Sequence, residues 1–292
     1  LNVLEYRLHT IYDLAGEDPS GDYRYDPILS PRVGVNYEWN QGQHVYVSAG
    51  HGFSAPSVEE TLLPEGSVNP DLKPESGWNF DVGIRGQSHQ RRIHYDVAAY
   101  TILVKNLLVT KRVTEEIFTG INAGATWHAG LEGSVDVKLV QEAKADAFQA
   151  NLHGSAFLSV NRFRTFSDDG NDYSGNNLPG IPAAMVQIWL PVTFRETLTL
   201  VPEYRYTGAQ YLDDANTALY EGHHLFHLRA SYRAGSEDWP VGLECTAGVK
   251  NVLNTRHASM VLVNAPSFGG AAPRYYYPGQ PRNFFVGIRL YY

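Results

Sequence analysis

Cysteine is nearly absent. Cys245 stands alone among 292 residues, which excludes an internal disulfide and, in an apolar strand setting, favours burial or lipid contact over thiol chemistry. No run of about 18 apolar residues occurs, so no helix is expected to span a membrane. The opening Leu1-Asn2-Val3 has neither the plan of a secretory leader nor an initiator methionine, and the chain is expected to be a piece of something longer. Charged residues make up only 18% and the formal net charge is −8, which argues against a nucleic-acid partner. Catalytic strings are missing too. Gly-x-Ser-x-Gly, a phosphate-cradling glycine loop and His-Glu-x-x-His do not occur, so no catalytic residue is assigned. His223, His224 and His227 lack a second cluster at zinc spacing, and Asp213, Asp214 and Asn216 fall short of a calcium-loop spacing, so no metal site is expected.

Aromatics are abundant, with 19 Tyr against 2 Met, which favours strands and surfaces that are apolar at one end and wet at the other. At the C-terminus Phe284, Val286, Ile288, Leu290 and Tyr292 fall on one face of a strand, while Phe285, Gly287, Arg289 and Tyr291 fall on the other. The same two-residue period recurs at Asn2–Tyr12, Arg32–Trp39, His44–Gly50, Gly77–Gly86, Arg92–Val104, Gly130–Val140 and Ala147–Arg164. It continues at Ala184–Phe194, Thr197–Gln210, His224–Arg233, Val241–Val252 and Arg282–Tyr292, with no convincing helix between. Connections alternate in length. Asn40–Gln43, Gln87–Arg91, Gln141–Asp146, Arg195–Glu196 and Ala234–Pro240 are short; His51–Ser76, Lys105–Ala129, Thr165–Ala183, Tyr211–His223 and Leu253–Pro281 are long. In an up-and-down antiparallel sheet this puts all long loops at one end, the plan of a transmembrane β-barrel, whereas a Greek-key sandwich has no reason to sort its loops. Segments of ten or more residues also suit a bilayer crossing better than a globular sheet. The fold expected is all-β: an antiparallel up-and-down transmembrane barrel.

Within this pattern lie Gly52-Phe53-Ser54-Ala55-Pro56 and Asn69-Pro70-Asp71-Leu72-Lys73-Pro74-Glu75, then Ile121-Asn122-Ala123-Gly124 leading to Gly130-Leu131-Glu132. Leu178-Pro179-Gly180-Ile181-Pro182 and Gly248-Val249-Lys250-Asn251-Val252-Leu253-Asn254 follow, before the terminal aromatic strand. This series resembles, in order, the FRAP and NPxLKPE stretch and later motifs of TonB-dependent outer-membrane receptors; Ser54 replaces the arginine of FRAP. The resemblance implies a barrel of about 22 strands with a plugged lumen. The chain would supply about twelve C-terminal strands and no plug, with residues 1–292 forming one barrel domain. Read physically, the prolines hold a long loop extended, and Glu75, Glu132 and Lys250 take the polar, lumen-facing phase.

The family implies a location in the outer membrane of a Gram-negative bacterium and contact with its lipid. It also implies energy from the inner-membrane TonB complex through the missing N-terminal part, and import of a scarce ligand without catalysis. The cargo expected is a ferric siderophore or other iron complex, with no covalently bound cofactor. Import of haem, a vitamin or a sugar is the alternative within the family, and an outer-membrane hydrolase the alternative outside it. Haem is disfavoured because Ser57–Val68 holds no histidine, although His51 and His257 remain available. Loop residues suited to an anionic chelate are Arg112, Arg164 and Arg274, with Tyr211, Tyr275 and Tyr276 as flat contact surfaces.

Overall fold

The computed structural model of the chain describes residues 2–3, 5–8, 21–61, 69, 71–88, 90–112, 118–122, 124–141, 148–168, 170–234, 241–267, 270 and 272–291. Twelve strands make one sheet: β1 (Arg32–Asn40), β2 (Gln43–Ser54), β3 (Glu75–Gln87), β4 (Ile93–Lys105), β5 (Ala125–Gln141), β6 (Phe148–Thr165), β7 (Ala184–Trp189), β8 (Val192–Phe194), β9 (Leu198–Thr207), β10 (His223–Ala234), β11 (Gly242–Lys250) and β12 (Asn283–Tyr291). Apart from β7 and β8, each strand pairs antiparallel with its neighbours in this order, so the sheet is a meander. The segment expected at Ala184–Phe194 is broken by Leu190-Pro191 into β7 and β8, which share the partners β6 and β9 and act as one interrupted wall strand.

The pairing register carries one phase across the wall. Pro202, Leu228, Val249 and Phe284 stand in one row; Ile84, Val97 and Gly133 stand in another. These residues share a face on which large apolar side chains are bare, with Phe284 72%, Val286 78% and Ile288 71% exposed. An apolar belt this continuous suits hydrocarbon and not water. The opposite face carries the charges, as Arg85 beside Asp96, Asp136 beside His153 and Glu244 beside Arg289. They are satisfied across strands: the Tyr46 hydroxyl donates to Asp96 at 2.9 Å, Ser48 to Asp81 at 2.8 Å and Gln187 to Glu203 at 3.0 Å. Cys245 takes the outward phase opposite Ile288, in keeping with lipid contact.

Long loops leave from one end of the sheet and tight turns from the other, as the spacing predicts. One expectation is corrected. Within Asn2–Tyr12, the strand Glu5–Leu8 pairs with Gly21–Arg24 in a separate ribbon and not with the large sheet, because alternation specifies a strand but not its partner. A helical turn, Val58–Thr61, also interrupts the first long loop. Ser57 Oγ accepts the Glu60 N–H at 3.2 Å while the Glu60 carboxylate accepts the Ser57 N–H at 2.7 Å, a capping box that closes this single turn. Among the described residues β1 and β12 do not pair with each other, so the sheet is open at both edges.

Candidate ligand-binding mouth

Two asparagine knots hold the bases of the long loops. The Asn122 side chain donates to the carbonyls of Lys73 at 2.8 Å and Asn106 at 3.0 Å, and its Oδ1 accepts the Lys73 N–H at 2.7 Å. The stiff Lys73-Pro74 stretch is thereby stapled to the loop from β4 to β5. Glu75 adds a carboxylate that accepts the Leu108 N–H at 3.1 Å. Asn251, 2% exposed and at a φ of +52°, does the same at the last loop, through bonds to Thr255 and Gln280.

Above these bases three loops are tied to one another. Asn177 N–H donates to Asn216 Oδ1 at 2.8 Å, and Asn216 Nδ2 returns a bond to the Asn177 carbonyl at 2.9 Å. Asn264 Nδ2 donates to the Asp214 carboxylate at 2.7 Å, and its Oδ1 accepts the Asp214 N–H at 3.1 Å. Asp213 takes N–H groups of Thr217 at 2.7 Å and Ala218 at 3.1 Å. The oxygen cluster noted in the sequence is thus engaged by the chain's own donors and fastens the loops. Beneath it Phe163 and Phe166 stack at 4.3 Å and pack with Leu107, Val109, Ile121, Tyr173 and Leu178.

Burial raises the Asp214 pKa above the ordinary 3.8, the Asn264 bond opposes this, and the charges of Asp168 and Asp213 add to it. A carboxyl whose folded pKa is raised gives stability that is full below its unfolded value and lost as pH rises through the folded value. The loop knot should therefore be tighter near pH 4 than at neutrality. Asp214→Asn should remove that dependence and slow exchange of the Asn264 amide at pH 7. Hydrogen exchange corrected for intrinsic rates reads this, and equal pH dependence in the two proteins would sink it.

On the lumen side the loops and wall border a half-open cavity of about 780 Å³ that Tyr46, Glu132, Arg205, Tyr220, His223 and His257 help to line. Its mouth is aromatic. The His223 and His257 rings lie 5.1 Å apart, and the Tyr220 hydroxyl bonds His223 at 3.1 Å and accepts the Ala258 N–H at 2.8 Å. Tyr276, expected from the sequence, joins this group with its ring 5.9 Å from Tyr220, and is 56% exposed. Tyr211 lies half-buried in the neighbouring loop, its carbonyl accepting the Gly180 N–H at 2.8 Å, and Tyr275 is half-buried with Arg274 exposed beside it. Arg112 lies in the hairpin strand Leu108–Arg112, but its side chain is outside the described residues. Arg164 stands apart, on the outward phase of β6. Of the two histidines considered for haem, His51 is likewise outward and packs on Trp78 at 5.3 Å, whereas His257 is at the mouth. Sequence reasoning missed Tyr220 and His223, which sit where a loop joins β10 and reach the mouth only because the last loop folds over them.

Residues 6–252 match the family model described as "TonB dependent receptor-like, beta-barrel". The chain belongs to that family. Among curated relatives of this chain, the ferrioxamine receptor of Yersinia enterocolitica is 26% identical over 86% of the chain and 33% of the relative. The ferric-pyoverdine 358 receptor of Pseudomonas putida is 24% identical over 90% of the chain and 29% of the relative. The chain thus spans about a third of the length of the curated relatives it matches. Its fold matches the siderophore receptor PiuA from Acinetobacter baumannii with a TM-score of 0.72 at 15% identity, over 96% of the chain and 38% of that protein.

Proposed function

We propose that residues 1–292 form the C-terminal part of the barrel of an outer-membrane receptor that binds a ferric siderophore or similar iron chelate and imports it without catalysis. The observation that carries this reading is the aromatic and imidazole-rich mouth over a luminal cavity, in a chain whose curated relatives are named as receptors for ferrioxamine and ferric pyoverdine. Tyr211, Arg274, Tyr275 and Tyr276 are the proposed contacts from the loops, with Arg112 as a fifth; Tyr220, His223 and His257 join them from the mouth. Flat amphipathic rings suit an organic chelator, and arginine pairs with its anionic oxygens. Arg164 is withdrawn from this set, because its side of the wall faces away from the cavity.

The open edges of β1 and β12 support further strands, since an unpaired edge in lipid costs several kcal/mol for each unsatisfied backbone group. A lumen filled by a plug does not conduct by diffusion, so passage requires energy from the inner-membrane TonB complex. Replacing Ser167–Ile181 and His257–Gly279 by short Gly-Ser linkers leaves the Asn251 knot in place. In iron-starved cells this change should abolish uptake of radiolabelled ferric siderophore while the barrel persists in the outer membrane. Normal iron uptake, with loss of a vitamin or sugar instead, would overturn the iron assignment.

A further inference from the structure

We propose that the outer wall at the loop end holds a phosphorylated glycolipid of the outer leaflet, through Lys105, Arg162 and Arg164. These are the only Lys or Arg residues of the described strands that take the outward phase, and no Asp or Glu shares it; Arg85, Arg205 and Arg289, by contrast, point inward. The proposal rests on the membrane reading of that face.

The three cations converge at one height. Arg162 stands opposite Trp127, and Lys105 stands opposite Ala125. A bulge between Phe163 and Thr165 sets the direction of Arg164: Arg164 and Thr165 are both exposed on the outward side, while Phe163 and Phe166 both turn in and stack. Lys105 and Arg164 therefore flank the small Ala125 from two strands about 10 Å apart, a gap their long side chains can close upon a phosphate.

Height excludes the hydrocarbon. The outward residues of β6 from Phe148 to Val160 are apolar or small, and at roughly 3.3 Å per residue and a tilt near ~40° they rise about 30 Å. Arg162 then lies at the interface, level with Trp127, whose indole N–H donates to Thr101 Oγ1 at 2.9 Å. Arg164 and Lys105 lie one step above it, among headgroups. None of the three makes a side-chain hydrogen bond or ion pair among the described residues. Three exposed cations with no anionic partner among the described residues, one step above or level with Trp127, fit the anionic headgroups that a membrane presents there. The ferric chelate is excluded as their partner by the wall itself, which separates them from the cavity.

The test uses the receptor purified from outer membranes in mild detergent, as wild type and as Lys105→Gln/Arg162→Gln/Arg164→Gln. Bound phosphorus and native mass are measured after detergent exchange. Wild type should retain about one phosphorylated glycolipid per barrel and the triple variant roughly fivefold less, with Arg229→Gln, an inward change, behaving as wild type. Heat-shifted gel mobility and unchanged ferric siderophore uptake show that the variant is folded. Equal retention by all three proteins overturns the proposal, and so does displacement of the lipid by millimolar inorganic phosphate. Absence of wild type from the outer membrane overturns it through the membrane reading, which fractionation detects separately.

Discussion

Arginine at Ile288 is expected to lower the unfolding free energy of the receptor in lipid by about 2–4 kcal/mol, the cost of a cation near the bilayer midplane on the outer wall of a barrel. Ile288 lies mid-strand in β12, is 71% exposed, and faces the same way as Phe284, Val286 and Leu290. So little of its surface meets protein that packing loss cannot dominate; in water the same change would be almost neutral. One residue along, Arg289 sits across from Glu244, which is 3.4 Å from Arg233, on the polar face. Exposed ion pairs contribute about 0–1 kcal/mol, so Arg289→Gln should cost less than about 1 kcal/mol. Reversible denaturant unfolding in lipid vesicles measures both. Equal costs would mean that the two faces have been assigned the wrong way round. Tyr292, which the alternation assigns to the same face as Ile288, lies outside the described residues.

The same contrast explains why so much of the wall was legible. A strand with hydrocarbon on one side and a wet lumen on the other must alternate along its whole length, so Trp78 to Ile84 and Leu198 to Tyr206 announce both the strand and its facing. Loop length then fixes which end is which. Three things escaped. Alternation at Glu5–Leu8 could not say that its partner would be Gly21–Arg24, because pairing is chosen by turn geometry and by edges. Arg164 was read as a loop residue, yet β6 runs to Thr165, and the bulge there turns Arg164 to the outer wall. The knots between loops were invisible for a different reason. Asn177 and Asn216 are 39 residues apart, and an asparagine in a loop carries no sign of which distant backbone it will meet. The proline-rich motifs did announce stiffness, but the fastening of Lys73 by Asn122 needed the fold.

Asn251 gives the sharpest test of what these motifs do. Its side chain donates to the Thr255 carbonyl at 2.9 Å and the Gln280 carbonyl at 3.2 Å, and accepts the Thr255 N–H at 2.8 Å. Its own N–H donates to His227 Nδ1 at 3.1 Å, which ties the start of the loop to the neighbouring strand. Asn251→Ala should cost about 3–5 kcal/mol: roughly 1 kcal/mol for each of the three side-chain bonds, and a further ~1 kcal/mol because alanine tolerates the left-handed backbone poorly. Glycine at the same position loses the bonds but relieves the backbone, so Asn251→Gly should cost about 1 kcal/mol less than Asn251→Ala. The loss should be local. Amides of Thr255 and Arg282, whose N–H groups are held by Asn251 and Asn254, should lose hydrogen-exchange protection, while amides in the middle of β4 and β5 keep theirs. If alanine and glycine cost the same, the left-handed backbone contributes nothing. If neither opens Thr255, the asparagine does not close the loop, and the role assigned to the Lys250-to-Asn254 motif is wrong.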